Sequence, residues 1–385
     1  MTDYPNSDDT PHQSFQQIDD DIRYVTTEAD GSCGIGKYTQ QLIESFENVR
    51  ATKTTFDADT ATILTYISLA LKACMSGEKI IHVQFEYGLY CESICEKSNI
   101  PAVAAVLFFP LLRFLCFLHR KRIFTTVHTV HDSEDDQRPW YGAIYLRFLH
   151  SLIAWSSETV ILLSEDSKAD FERDKILGKI EDLPHGAELD ESTYIPSSAA
   201  KVTFGYNKDE TVIALPGYME HRKGHRDFIH LAEQFPEYEF LIGGGARTET
   251  MESYEEEIRR QSGENVQITG TLEEERFKRV FQAADVVVLP YRDIDQSGIF
   301  NWCVVYETPI VAYDLPYFKR LQAGWGSVDV VPKNNGIKEL ASAVQHTIKS
   351  ESHREKLKSG LRAYGKANSF QAVAKAHANL YQQTI

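Results

Sequence analysis

A chain of 385 residues exceeds what one hydrophobic core usually organises, so two domains are expected, each of fewer than about 200 residues. Forty Lys and Arg stand against 56 Asp and Glu, and the formal net charge of −16 argues against a protein that embraces nucleic acid through a general positive field. The six cysteines (Cys33, Cys74, Cys91, Cys95, Cys116, Cys303) show no zinc-like pairing and read as reduced thiols of a cytoplasmic protein.

Residues 1–20 form a polar, Asp- and Gln-rich segment without the charged-then-apolar pattern of a secretion signal, and disorder is expected there. From Ile22 onward, short β-branched runs alternate with helical patterns. In the first half they are Ile22–Thr26, Lys79–Phe85, Ile123–Val127 and Thr159–Leu163. In the second half they are Thr211–Leu215, Tyr238–Ile242, Val266–Thr269, Asp285–Leu289 and Pro309–Ala312. Near-continuous apolar strands separated by helices predict an α/β protein with parallel sheets covered on both faces. Between Glu188 and Asp209 this rhythm lapses into Ser, Ala, Lys, Asn and Asp, which places a domain boundary there. The expected division is an N-terminal domain over 21–200, a C-terminal domain over 201–365 and a final segment, 366–385, that crosses back to the first domain. Three helical patterns follow Gly336 with no strand to serve, the last from Ser369 to Tyr381.

One stretch is unusually apolar. Ile100–Leu112 carries no charge, Arg113 interrupts it, Phe114–Leu118 resumes it, and His119-Arg-Lys-Arg122 closes it. A spanning helix needs about 20 apolar residues, and Arg113 would fall inside that span. Two readings stay open: a buried helix on the first sheet, or a half-buried surface helix that dips into a bilayer beside its basic cluster. Pro110 is expected to kink it or to start a second helix.

Candidate site residues cluster where strands end. In Gly31-Ser-Cys-Gly-Ile-Gly-Lys-Tyr38, glycines allow close backbone approach, and Gly36 is expected to open a helix running through Tyr38 to Phe46. The spacing matches neither the nicotinamide fingerprint nor a Walker loop. Gln84-Phe-Glu-Tyr-Gly88 follows the strand at Lys79, and His128-Thr-Val-His131 follows the strand at Ile123. Carboxyl ends of parallel strands line the crevice where open α/β sheets bind ligands, so His128 is the first-choice site histidine and His131 a loop residue. Glu86 either orients a hydroxyl or histidine or caps the next turn; Tyr87 and His185, within Pro184-His-Gly186, join it as acceptor-side or orienting candidates. In the second half, Leu215-Pro-Gly-Tyr-Met-Glu-His-Arg-Lys-Gly224 offers Gly217, with Arg222 as a fork and Lys223 as a point charge for phosphate oxygens. Gly243-Gly-Gly245 ends the next strand. Tyr291 and Arg292 then lead to Gln296-Ser-Gly298, after which a helix from Ile299 aims its N-terminal amides at the cleft, a seat for a diphosphate.

The ordered set Gly34–Tyr38, Gln84–Gly88, Thr126–Val130, Pro184–Gly186, Gly217–Gly224, Gly243–Gly245, Ala284–Tyr291 and Gln296–Gly298 resembles the retaining, nucleotide-sugar-dependent glycosyltransferases of family 4. The resemblance covers nearly everything from Ile22 to Tyr381. It implies the GT-B fold, two Rossmann-like domains facing one cleft, and transfer of a hexose-type sugar with retention at C1. It also implies that the nucleotide-diphosphate sugar is a co-substrate, with no tightly bound cofactor and no metal. In that scheme Gly34, Ile35, Gly36, Lys37, Gly217, Gly244, Tyr291, Arg292, Gln296, Ser297, Gly298 and Ile299 serve the donor. Lys223 and Arg222 hold the leaving phosphate, and His128 touches the donor sugar.

Departures from the family pattern are specific. Tyr218 stands where an Arg is usual, and Ile294 and Trp302 replace a Glu-x7-Glu pair, as in a Gln-Ser-Gly loop variant of the family. Glu307 replaces the glycine before Thr308. These substitutions keep two alternatives open: a catalytically degenerate GT-B protein that binds nucleotide or glycan, or another GT-B enzyme such as an epimerase or phosphorylase. The expected acceptor is a glycan or a polyprenyl-lipid-linked molecule, with peripheral membrane contact through 100–122 on the cytoplasmic face and no nucleic-acid partner.

Overall fold

The computed structural model describes residues 21–29, 34–47, 49–90, 102–134, 139–163, 165–187, 194–294 and 297–383. Gln296 and segment 1–20 lie outside the described residues, as do Gly31, Ser32 and Cys33 of the first glycine motif.

The first half alternates strand and helix: β1 (Ile22–Thr27), α1 (Gly34–Glu44), β2 (Ala51–Phe56), α2 (Ile63–Met75), β3 (Ile80–Phe85), α3 (Ala105–Leu118), β4 (Arg122–Val127), α4 (Trp140–Ser156), β5 (Thr159–Leu162), α5 (Glu165–Asp174) and β6 (Lys179–Asp182). The second half begins α6 (Ser197–Thr203), β7 (Val212–Pro216), α7 (His225–Ala232), β8 (Glu239–Gly243), α8 (Glu249–Gln261), β9 (Val266–Ile268), α9 (Glu274–Ala283) and β10 (Val286–Leu289). It ends α10 (Gly298–Tyr306), β11 (Ile310–Tyr313), α11 (Pro316–Trp325), β12 (Asp329–Val331), α12 (Ile337–Lys349), α13 (Glu351–Ala367) and α14 (Phe370–Gln382).

Two six-stranded sheets result, ordered β2-β1-β3-β4-β5-β6 and β12-β11-β10-β7-β8-β9, and their strand pairs are parallel. This is the GT-B architecture of two Rossmann-like domains. Strand order reverses at β1/β3 in one sheet and β7/β10 in the other, and such switch points open the crevices in which α/β sheets hold ligands. Central strands such as β7, β10 and β11 are buried throughout, as near-continuous apolar runs require.

Three strands were not read from the sequence: β2, β6 and β12. Each is an edge or short strand with polar, part-exposed residues, Thr52-Lys-Thr-Thr55 in β2 for instance, so the apolar signal is missing. Helix α1 begins at Gly34 rather than Gly36. Pro110 neither ends α3 nor starts a second helix; Phe108, Phe109 and Leu112 hold that helix against the sheet.

Crossovers β2→β3→β4→β5→β6 all advance in one direction while β1→β2 runs the other way, so right-handed connections put α2 to α5 on one face and α1 on the other. Alongside α1 lies α14, whose Phe370, Val373, Ala374 and Tyr381 share a core cluster with Ile22, Tyr24 and Tyr38. The Tyr381 hydroxyl is 2.9 Å from that of Tyr24 and 2.5 Å from His82 Nδ1, while His82 Nε2 lies 2.8 Å from Thr126 Oγ1. Ala187 and Ser369 also form an isolated parallel bridge. The last helix is thereby tied to the first sheet through a buried polar cluster as well as through apolar packing.

Candidate active site

A cavity of about 520 Å³ lies between the domains, within the size range of small-molecule sites. Its walls come from the switch point of the second sheet: Gly217 after β7, Gly244 after β8, Tyr291 after β10. A smaller cavity of about 210 Å³ adjoins it, and Lys37, Gly298 and Trp302 line both. Gly34, from the first turn of α1, and Gly298, from the first turn of α10, face this smaller space together. Two helix N-termini, one per domain, therefore open toward one cleft with their positive dipole ends.

Close backbone packing dictates the glycines. A Cβ on Gly36 would stand 1.9 Å from the Glu28 carbonyl oxygen, where α1 passes the end of β1. A Cβ on Gly244 would stand 2.2 Å from the Gly217 carbonyl oxygen, and Gly217 itself has φ +103°. Ser297 caps α10 by accepting the Phe300 N–H at 3.2 Å, and Ile299 lines the larger cavity. Ile35 packs against the core of the first domain.

Lys37, Arg222 and Lys223 bring positive charge to the larger cavity. Lys223 is only 8% exposed; its Nζ donates to the Tyr218 carbonyl at 2.8 Å and lies 3.6 Å from Glu220, and burial lowers its pKa. Arg222 pairs through Nε with Glu220 at 2.6 Å. Lys37 reaches across the cleft to Glu274 at 2.8 Å and stands 5.8 Å from the Trp302 ring centroid.

Other sequence candidates lie elsewhere. The Arg292 guanidinium turns to Asp227, at 3.0 and 3.1 Å, and lines neither cavity, so it does not replace the arginine missing at Tyr218. Tyr87 is buried, stacked on His131 with ring centroids 4.0 Å apart and hydrogen-bonded to His150, which in turn contacts Asp174 at 2.7 Å. It belongs to the interior of the first domain, because this aromatic finds its partners under α4 rather than in the cleft. Glu86 accepts the Tyr87 N–H at 3.1 Å, the turn-capping alternative, and burial raises its pKa.

His128 stands one layer behind the smaller cavity: its ring meets Tyr38 edge-on at 5.1 Å, and Tyr38 lines the space. Its Nε2–H donates to Gln84 Oε1 at 2.7 Å, and burial, aided by the neighbouring His185, pushes its pKa down to about 3. His185 lines the smaller cavity, and its Nδ1 lies 3.2 Å from the Asn301 side-chain amide of the other domain.

Several wall residues escaped the sequence reading: Thr271, Leu272, Glu274 and Phe277 around the start of α9, with Gln41 and Asn301 in the smaller space. Thr271 and Leu272 follow Gly270, a left-handed glycine after β9 that lies outside the motifs singled out in the sequence, and Glu274, Phe277 and Gln41 sit within helices. The Lys37–Glu274 contact joins positions 237 apart, a relationship that only the folded chain creates.

Comparisons with known proteins bear on the fold and on residues 198–363. Residues 198–363 match the family model described as Glycosyl transferases group 1. Over 166 residues the chain is 28% identical to an alpha-galactosylglucosyldiacylglycerol synthase of Streptococcus pneumoniae; the match spans 38% of this chain and 44% of that relative's length. Sucrose-phosphate synthase from Thermosynechococcus elongatus superposes with a TM-score of 0.67 at 17% identity, over 95% of this chain and 99% of the other. Anabaena Alr3699/HepE, solved in complex with UDP, gives a TM-score of 0.69 at 12% identity over 94% and 100%. Residues 198–363 thus resemble the Glycosyl transferases group 1 model, within a chain whose two parallel six-stranded sheets share the GT-B fold of these solved structures.

Proposed function

We propose that the protein transfers a hexose-type sugar from a nucleoside-diphosphate sugar to a lipid-linked or glycan acceptor, with retention at C1. One observation carries the reading: the α10 N-terminus meets Lys37, Arg222 and Lys223 at the larger interdomain cavity, and the α1 N-terminus lines the smaller cavity that adjoins it through Lys37 and Gly298. Support comes also from the lipid product in the pneumococcal relative's name and from the UDP held by the Anabaena structure.

Breaking the bond from C1 to the diphosphate passes through an oxocarbenium-like state while negative charge develops on the leaving phosphate. Amides at Gly34–Lys37 and Ser297–Ile299 receive that charge in this scheme, and Lys223 and Arg222 supply counter-charge. Losing one such donor raises the barrier by about 2.7–4 kcal/mol. His128, neutral at physiological pH and one layer behind the cavity, supports the Tyr38 ring that lines it and supplies no proton. Retention follows from attack on the face the diphosphate leaves, without a dedicated protein base. Trp302 and Ile294, both in the cavity wall, offer the ribose apolar surface instead of carboxylates.

The same two residues favour a second reading, a nucleotide-binding protein without turnover. Incubation with UDP-, GDP- and ADP-sugars separates the two. Transfer to an acceptor, or slow hydrolysis of one donor, supports the enzyme; tight binding with an intact donor under every acceptor supports the second reading.

A further inference from the structure

Helices on the surface of a water-soluble domain carry one apolar stripe, turned to the core. Here three neighbouring helices carry two. In α3, Phe108, Phe109, Leu112 and Cys116 are buried on the sheet, while Leu107, Phe114, Phe117 and Leu118 point to solvent, Phe117 at 76% exposure. In α4, Leu146, Leu149 and Ile153 face inward, whereas Tyr141, Ile144, Phe148 and Trp155 recur at helical spacing on the outside. In α2, Leu64, Leu71 and Met75 form a third outward stripe. The three helices lie side by side on one face of the first sheet, with α3 between α2 and α4. Together they make a continuous apolar surface, beyond the scattered exposure ordinary for a soluble domain.

Charge identifies what this surface meets. In a protein of net charge −16, α2, α3 and α4 contain no Asp or Glu, while Lys72, Arg113 and Arg147 lie on them and His119-Arg-Lys-Arg122 follows α3. Arg147 pairs with Glu134 at 3.1 Å, Lys121 donates to the Ser76 carbonyl at 2.5 Å and one Arg122 nitrogen is buried, which leaves Lys72, Arg113 and Arg120 as the basic groups on and beside α3 that can meet a ligand. Trp140 and Trp155, at opposite ends of α4 and about 22 Å apart along it, are the aromatic type that settles at the headgroup level of a bilayer. Among the described residues no helix is long and apolar enough to cross a membrane.

We propose that the outer face of the α2–α3–α4 layer is a docking surface for an anionic lipid bilayer, on which the protein lies without spanning. The apolar stripes enter the acyl boundary, and the basic residues around α3 meet lipid phosphates. Helix α3, the described helix of segment 100–122, is thus one of the three that form the surface, with its sheet-packed side and its bilayer-facing side opposite each other; residues 100 and 101 lie outside the described residues. This deepens the lipid-acceptor reading by naming where acceptor would be presented, but it is carried by a face outside the cleft and is tested separately from it.

The test is flotation of the full chain with vesicles of phosphatidylglycerol and phosphatidylcholine, against vesicles of phosphatidylcholine alone, with light scattering of the protein in solution. The expected result is capture by the anionic vesicles, weakened by salt, and on the order of tenfold less capture for the double variant Phe117→Glu, Phe148→Glu. Unchanged nucleoside-diphosphate affinity shows that the variant is folded and keeps the cleft reading apart. Absence of capture, capture unaltered by the double variant, or a dimer in solution that the same variant dissociates would each overturn the proposal, the last by assigning the face to a second copy.

Discussion

The Lys37 ammonium donates to the Glu274 carboxylate at 2.8 Å, joining the first helix of one domain to the wall of the cavity in the other. The Glu274 pKa is lowered, first by this hydrogen bond. Both side chains are part-exposed, 39% and 54%, so the pair contributes under about 1 kcal/mol to stability. Its consequence lies in ligand binding, because an incoming diphosphate competes with Glu274 for Lys37. Glu274→Gln is expected to tighten nucleoside-diphosphate binding several-fold by calorimetry, and Lys37→Ala to weaken it, with both variants close to the parent in thermal stability. Weaker binding in Glu274→Gln would show instead that the carboxylate itself holds the ligand.

Lys223 is held by the Tyr218 carbonyl in a nearly buried position. Lys223→Met should lower kcat by about 10²–10³, the magnitude of one lost donor to a developing oxyanion. Arginine is expected not to rescue it, since a planar fork does not fit where a compact ammonium is enclosed. Steady-state kinetics beside a denaturation curve separates this role from a merely structural one, which would move the midpoint and leave kcat nearly intact.

Glu307 ends α10 with φ +51° and ψ +37°, the left-handed conformation that glycine adopts without strain. A non-glycine residue there costs about 1–2 kcal/mol. The Glu307 carboxylate accepts from Arg362 at 2.6 Å, an exposed pair of smaller worth. Glu307→Gly is therefore predicted to stabilise the protein by about 1 kcal/mol in urea unfolding. A loss of stability would mean that the Arg362 pair outweighs the strain.

His377 is fully buried between α14 and the first sheet, and burial pushes its pKa down to about 3. An unfolded histidine takes up its proton near pH 6.5. Between these values the unfolded chain binds more protons, so the contribution is complete above about pH 6.5 and is lost as pH falls, at up to about 1.4 kcal/mol per pH unit. His377→Phe should flatten the decline in unfolding free energy from pH 7 to pH 5. Parallel profiles for parent and variant would contradict this origin of acid sensitivity.

Much of the fold was legible because central strands such as Val286–Leu289 are apolar on both faces and cannot be mistaken for surface. Edge strands were not, since β2 pairs on one side and keeps Thr and Lys exposed. For the site, glycine turns at strand ends pointed to Gly34, Gly217, Gly244 and Gly298, all of which line one cavity or the other. Side-chain direction was the failing point. Arg292 and Tyr87 sit on the expected segments but spend their polar groups on Asp227 and His150, partners that no local pattern announces. The wall supplied by α9 was invisible for another reason: Glu274 and Phe277 belong to an ordinary amphipathic helix whose end faces the cleft only after the domains meet.

The central claim, a diphosphate clasped between two helix N-termini from different domains, is tested most directly by a crystal structure of the protein with a bound nucleoside diphosphate. The account predicts phosphate oxygens within hydrogen-bond distance of main-chain amides at Gly34–Lys37 and Ser297–Ile299, with Lys223 alongside. A diphosphate seated away from these turns, or held by one domain alone with the Gly34 turn facing solvent, would contradict it.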